Sequence, residues 1–154
     1  MNNEPSIESI VVSAEQMRQI EGRIFTAGMP VAALMEKAAT LCARRIQELY
    51  PRSIALNVGI LVGPGHNGGD ALVIARELYL QGYKIKIYSP FDRLKELTEQ
   101  HDRYVDSLGI KRDRNLEFLQ ECDLIIDGLF GFGLTRHLTG EIAEAIDRLN
   151  RWSK

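Results

Sequence analysis

The feature that most constrains the fold is a glycine-rich turn between two apolar, strand-like segments. The segment IALNVGILVG, residues 54–63, runs directly into Gly63-Pro64-Gly65-His66-Asn67-Gly68. The helical pattern ALVIARELYLQG follows and ends at Gly82, and KIKIYSP is a second strand that stops at Pro90. A strand, a glycine turn, a helix and another strand form the repeating unit of a parallel sheet with right-handed crossovers. The turn therefore predicts an α/β fold.

Helices and strands also alternate on both sides of this unit. Before it, SAEQMRQIEGRIF is a predicted helix in which Ser13 and Gln16 have the spacing of a capping box. After it, RLKELTEQHDRYVDSLG and TGEIAEAIDRLNRW are predicted helices, NLEFLQEC is a short helix, and DLIIDGLFGFG is a third strand that ends in a second glycine-rich loop. The predicted helix VAALMEKAATLCARRIQELY precedes the glycine turn, and its predicted buried stripe consists of Val31, Leu34, Met35, Ala38, Leu41, Cys42, Ile46 and Leu49.

Composition excludes several classes of protein. The chain has 154 residues and a net charge of −2, which favours one domain without a surface for nucleic acid or anionic membrane. Cys42 and Cys122 form no paired motif, so a zinc site or a disulfide framework is not expected. The first residues lack the pattern of a secretory signal, and no apolar run reaches membrane-spanning length. These features predict a cytoplasmic protein with residues 1–12 as a polar tail.

The glycine turn does not fit the two commonest nucleotide-binding motifs. A phosphate-binding P-loop requires Lys and Ser or Thr where this chain has Gly69 and Asp70. A standard dinucleotide fold requires an acidic residue at the end of the second strand, but that strand ends at Tyr88 and Ser89, and Asp92 lies beyond the proline. The remaining interpretation is that Asn67 and Asp70 bind a ligand with their side chains.

Each candidate residue also has a purely structural interpretation. Asp70 at the start of a helix could cap free amides, and Asn67 is a common turn residue. Asp127 differs because it ends an apolar strand beside a glycine loop, where a carboxylate needs a cation, a donor or a substrate. Asn67 and Asp127 together offer oxygen ligands that suit K⁺, Na⁺ or Mg²⁺. Arg136 could meet a phosphate, whereas surface or loop positions are expected for His66 and His137. His101 lies in a charged helical segment and is expected to be solvated.

Three segments together resemble one known family. GMPVAALMEKAA, GPGHNGGDALVIARELYLQGY and LIIDGLFGFGLTRHLTG are similar, in order and separation, to the YjeF N-terminal domain, the NAD(P)HX epimerase family. The resemblance covers residues 13–154. It implies a three-layer α/β/α, Rossmann-like parallel sheet that lacks the family's last strands, and a homodimer. Ala71 departs from the family pattern, which often has glycine at this position.

The resemblance also implies an activity and a site. Such enzymes interconvert the R and S forms of hydrated NADH and NADPH, so that an ADP- or ATP-dependent dehydratase can restore both. Asn67 and Asp127 would bind one K⁺ per subunit, and we favour Asp127 as the acid/base group. The implied substrate-binding residues are His66, Asn67, Gly68, Gly69, Asp70, Gly131, Phe132, Gly133, Leu134, Thr135, Arg136 and His137.

Two other functions are open to a chain of this pattern. A domain of the same fold could serve as a non-catalytic module that binds a nucleotide or a protein. An ordinary dinucleotide-dependent oxidoreductase is less favoured, because the acidic residue for the ribose is missing. Asn67, Asp70 and Asp127 favour the enzyme, since a binding scaffold does not require all three.

Overall fold

A computed structural model describes residues 11–152 of the chain. Most of the predicted tail, residues 1–10, lies outside the described residues. The helices are α1 (Ala14–Thr26), α2 (Val31–Leu49), α3 (His66–Leu80), α4 (Glu96–Ser107) and α5 (Glu141–Asn150), and a 3-10 turn spans Leu116–Leu119. The strands are β1 (Asn57–Val62), β2 (Lys84–Tyr88), β3 (Lys111–Asp113) and β4 (Leu124–Gly128).

The four strands form one parallel sheet in the order β3-β2-β1-β4. Leu61 of β1 pairs with Tyr88 of β2 on one side and with Asp127 of β4 on the other. The chain order reverses between β1 and β4, and ligands of open α/β sheets bind at such a point beyond the carboxyl ends of the strands. The two glycine loops follow these two strands, so the topology brings them to the same edge.

Helices cover both faces of the sheet. On one face, α2, α3 and α4 bury alternate strand residues such as Ile60 and Ile87. On the other, the 3-10 turn and α5 pack against Leu61 and Tyr88, with Ala145 as the buried residue of α5. Alternation of side chains along a strand allows both faces to be apolar, as a parallel sheet between two helical layers requires. The predicted three-layer α/β/α fold is confirmed.

The sequence predicted three strands, and residues 11–152 contain four. The additional strand, β3, is three residues long, Lys111–Asp113, and all three residues are exposed. It pairs with β2 at the edge of the sheet. A short polar edge strand carries no apolar alternation, so periodicity could not reveal it.

The predicted buried stripe of α2 was wrong in part. Met35 is buried as predicted, but the other buried residues are Ala39 and Ala43. Leu41 and Leu49 are 54% and 51% exposed, and Cys42 is also exposed. Small alanines let α2 approach α3 closely, whereas Leu41 and Leu49 lie on the outward side. The capping box of α1 is confirmed, because Ser13 accepts from the Gln16 amide and Gln16 accepts from the Ser13 amide.

Candidate active site at the carboxyl ends of the strands

A cavity of about 890 Å³ lies beyond the carboxyl ends of β1 and β4. Its walls come from the loops that follow β1, β2 and β4, from α1 and α2, and from the start of α3. Pro64, Gly65 and Asn67 form part of one wall, and Leu129–Arg136 form another. A cavity of this size is large enough for a nucleotide-sized ligand.

Glycines allow the backbone segments beneath this cavity to touch. The Gly63 amide donates to the Gly128 carbonyl at 3.1 Å, which joins the two loops at their bases. A side chain at Gly63 would overlap the Leu129 carbonyl, and one at Gly68 would overlap the carbonyl of Gly63. These glycines are therefore required by close packing, independently of any ligand.

The segment between β2 and α4 holds the glycine turn in place. The Lys95 amide donates to the Pro64 carbonyl at 2.8 Å. The Thr98 hydroxyl, which is fully buried, donates to the Gly65 carbonyl at 2.8 Å. Because the start of α4 supplies the donors to both carbonyls, the conformation of the turn is fixed before any ligand binds.

Asp70 does not cap the helix, as one interpretation of the sequence supposed. Helix α3 begins at His66, so Asp70 lies beyond its first turn, and no side chain caps this helix. The carboxyl group of Asp70 instead lines the cavity together with Glu21 of α1. Burial, and then the negative charge of Glu21, raise the pKa of Asp70 to about 6. A carboxyl group in such a site exchanges protons near neutral pH.

Most of the predicted substrate-binding residues lie around this cavity. Gly68 and Gly69 are buried beneath it, where Gly69 packs against Met35. Ala71, which departs from the family pattern, packs its methyl group onto Gly128, so the substitution is accommodated. The residues on the cavity wall are His66, Asn67, Asp70, Gly131, Phe132, Gly133, Leu134, Thr135 and Arg136.

Asp127 and His137 are not among the residues that line the cavity. Asp127 lies at the end of β4, which is an edge strand within residues 11–152, and it is exposed. Its Oδ1 atom accepts a hydrogen bond from the Leu129 amide at 2.9 Å. This bond shapes the start of the loop after β4, and the catalytic role of Asp127 stays a prediction.

The residues predicted to bind a cation come from two neighbouring backbone segments. The side chain of Asn67 lies against Gly131, and its backbone carbonyl lies close to Gly128. Asp127 directly precedes Gly128 and retains a second carboxylate oxygen that forms no hydrogen bond among the described residues. Amide, carboxylate and carbonyl oxygens suit a hard cation such as K⁺. Within residues 11–152, no group of three His, Cys, Asp or Glu forms a metal site.

Sequence reasoning missed four charged residues on the cavity wall. Arg18 and Glu21 lie on α1, and Arg93 and Lys95 lie between β2 and α4. The residues of α1 belong to an ordinary amphipathic helix and carry no motif. Arg93 and Lys95 follow β2 at the ligand-binding edge of the sheet, and this position could have identified them as ligand-binding candidates from the sequence.

The expectation that His101 is solvated was wrong. Its side chain is 12% exposed, and its Nδ1 atom lies 3.6 Å from Glu36. Burial lowers the pKa of His101, against the opposing effect of Glu36. Arg76 donates two hydrogen bonds to Glu36, at 2.9 and 2.7 Å, so this cluster ties α3 and α4 to α2. It belongs to the helical layer and not to the cavity.

The fold and the cavity define an α/β protein whose polar glycine turn, which is not a P-loop, lines the cavity at the ligand-binding edge of the sheet. Residues 31–154 match the family described as the YjeF-related protein N-terminus. The chain belongs to this family.

Similar proteins carry names that concern one kind of cofactor repair. The chain is 52% identical over 148 residues to the bifunctional NAD(P)H-hydrate repair enzyme Nnr of Thermosynechococcus vestitus. This match covers 96% of the present chain but only 29% of that enzyme. It is 34% identical over 146 residues to the NAD(P)H-hydrate epimerase of Oenococcus oeni, covering 92% of this chain and 69% of that one. The crystal structure of the yeast protein YNL200c superposes with a TM-score of 0.81 at 26% identity, over 93% of this chain and 65% of the yeast chain.

Proposed function

We propose that this domain epimerises the R and S forms of hydrated NADH and NADPH. The observation that carries the proposal is the similarity to a protein named NAD(P)H-hydrate epimerase, together with membership of the same family. The cavity supports it, because it offers backbone and side-chain donors, cations and a carboxyl group with a raised pKa at the ligand edge of the sheet. No observation favours the non-catalytic alternative.

The substrate is expected to lie between the glycine turn and the loop after β4. Side chains, Asn67 and Asp70 above all, would position part of the hydrated cofactor, and Arg136 would supply positive charge. A bound ligand that makes no contact with the side chains of Asn67 and Asp70 would contradict this arrangement.

The reaction requires a proton to be delivered and removed. The altered carbon carries a hydroxyl group and is bonded to the ring nitrogen. Inversion breaks either the C–O bond or the ring C–N bond and re-forms it on the other face, so the proton given at bond breaking is returned at bond making. A positioned acid/base contributes about 10²- to 10⁴-fold. Asp127 is our sequence-based choice, and Asp70 is a second candidate because it lines the cavity.

We further propose that Asn67 and Asp127 hold one K⁺ per subunit. The ion would supply positive charge beside the substrate, and the oxygen ligands around Asn67 and Gly128 suit it. A carboxylate that binds a cation is a poorer base, so a K⁺ role for Asp127 would leave proton transfer to another group.

We also propose that the protein forms a homodimer and is located in the cytoplasm. No helix in residues 11–152 is long and apolar enough to cross a membrane.

The names of the bifunctional relatives support a functional link to a second repair activity. Three bifunctional repair enzymes match this chain over 29%, 27% and 28% of their own length. The chain therefore spans less than a third of these relatives. We propose that an ADP- or ATP-dependent dehydratase consumes the epimer that this domain produces.

The test is the interconversion of purified R- and S-NADHX by the full-length protein in K⁺ buffer, without ADP or ATP, followed by chromatography. We expect faster equilibration than in buffer alone. Asp127→Asn and Asp70→Asn then assign the proton transfer, because loss of about 100-fold or more in kcat identifies the acid/base group. Replacing K⁺ by a bulky organic cation tests the ion. Equilibration no faster than the uncatalysed reaction would refute the proposed function.

A further inference from the structure

The segment after β2 contributes two cations to the cavity. It runs from Ser89 to Lys95, and both Arg93 and Lys95 line the cavity wall. Backbone contacts fix its position, since the Lys95 amide donates to the Pro64 carbonyl of the glycine turn. In doubly wound folds, the end of this strand meets the adenosine ribose of a dinucleotide.

Asp92, the acidic residue of this segment, does not line the cavity beside the glycine turn. Asp92 is paired with Arg114 at 2.6 Å, next to β3. Both residues line a neighbouring cavity over β2 and β3, and neither lines the cavity beside the glycine turn. An acidic residue at this place would bind the ribose hydroxyls of NAD, whereas a cation accommodates a 2′-phosphate. Arg93 lines both cavities, and Lys95 lines only the one beside the glycine turn. In the dinucleotide arrangement, these two cations lie where NAD and NADP differ.

Both cations are available to a ligand. Within the part of the chain that the structure describes, neither Arg93 nor Lys95 forms an ion pair, and both are exposed. By contrast, Arg18 on the same wall is paired with Glu15 at 2.8 Å. Two neighbouring cations match the charge of one phosphate, and Arg also offers paired donors to its oxygens.

We propose that Arg93 and Lys95 bind the 2′-phosphate of the adenosine ribose, so that this site prefers hydrated NADPH to hydrated NADH. The inference rests on the proposed function and adds to it a choice between its two substrates.

The test compares the two hydrates in the full-length protein without ADP or ATP. For the wild type, kcat/KM is expected to be higher for NADPHX than for NADHX. Arg93→Ala and Lys95→Ala should each lower the ratio of the two values by about tenfold, mainly through KM for NADPHX. Lys95→Ala retains the backbone bond to Pro64. An exposed arginine on α4, Arg103, supplies the matched control, and Arg103→Ala should leave the ratio unchanged.

A binding measurement separates this inference from the proposed function. Calorimetry with NADP⁺ and NAD⁺ reports the 2′-phosphate even if neither hydrate is epimerised. Any other nucleotide site in the protein is unaltered in the variants, so the difference from wild type reports this cavity alone. If Arg93→Ala and Lys95→Ala abolish a preference for NADP⁺, the inference stands without the activity. Equal wild-type affinity for both, or a preference that survives both substitutions, overturns it.

Discussion

Asp70 shows how one residue acquires its chemistry from residues far away in sequence. Its raised pKa arises first from burial beside the cavity and then from Glu21, which is on another helix. The neutral form is therefore favoured in the folded state relative to the unfolded chain. The ionised form must be stabilised by a ligand or remains a source of instability.

Replacing Asp70 with asparagine should stabilise the protein at neutral pH. The folded-state pKa of about 6 lies above the ordinary value of 3.8, so the free energy of unfolding falls as pH rises through this window. Asp70→Asn removes the charge, and after allowance for solvent screening we expect a gain of about 1–2 kcal/mol at pH 7.5. The gain should shrink as pH falls from 6 to 4 in denaturant titrations.

An aspartate on α5 provides the control for this experiment. Asp147 is exposed and lies outside the cavity, so Asp147→Asn should change the free energy of unfolding by less than about 0.5 kcal/mol. A loss of stability in Asp70→Asn at pH 7.5 would show that the carboxylate has a stabilising partner.

Two glycines of the same turn should respond differently to substitution. A side chain at Gly63 would overlap the backbone of Leu129, whereas one at Gly65 would enter open space, at a φ of −100° that alanine readily adopts. We expect Gly63→Ala to lower the free energy of unfolding by about 3 kcal/mol or more, and Gly65→Ala by less than about 1 kcal/mol. Equal effects in denaturant titrations would contradict the close approach of the two loops.

At the scale of elements, the glycine turn depends on α4. Thr98 at the start of α4 is fully buried, and its hydroxyl donates to the Gly65 carbonyl. The turn, the start of α3 and the start of α4 therefore form one rigid corner beneath the cavity. Rigid supporting contacts keep binding groups in place at low entropic cost.

Thr98→Val should weaken this corner without changing its shape. Valine fills the same space but cannot donate to the Gly65 carbonyl, so we expect a cost of about 1–3 kcal/mol. Thr26→Val is the matched control, since Thr26 donates to the Gly22 carbonyl at 2.8 Å but is exposed, and it should cost less than about 1 kcal/mol. Thermal unfolding of both variants decides between a supporting and a dispensable bond.

At the scale of the whole molecule, stability is concentrated in the sheet and α3. Helix α3 has nine buried residues, whereas α1 has none. Yet α1 supplies Arg18 and Glu21 to the cavity wall. The cavity wall thus combines residues of the well-buried α3 with residues of the poorly buried α1. Local unfolding is expected first in α1, because it is the less buried of the two helices.

Hydrogen exchange should reveal this division. Amides of α1 are expected to exchange at least about 100-fold faster than those of α3, because opening α1 exposes little apolar surface. Mass spectrometry of the full-length protein measures both helices at once. Comparable protection of the two would mean that α1 is covered by a surface outside residues 11–152, such as a second subunit.

The sequence by itself determined the succession of elements other than β3, the capping box of α1, the ligand edge of the sheet and the family. These properties depend on local periodicity and on turn chemistry, which neighbouring residues express directly. Only the tertiary structure decided that β3 pairs at the edge, that Ala39 and Ala43 face the core, and that Asp70, Glu21, Arg93 and Lys95 line one cavity. Burial and charge interactions depend on which residues are close in space. The periodicity of the sequence does not specify this packing.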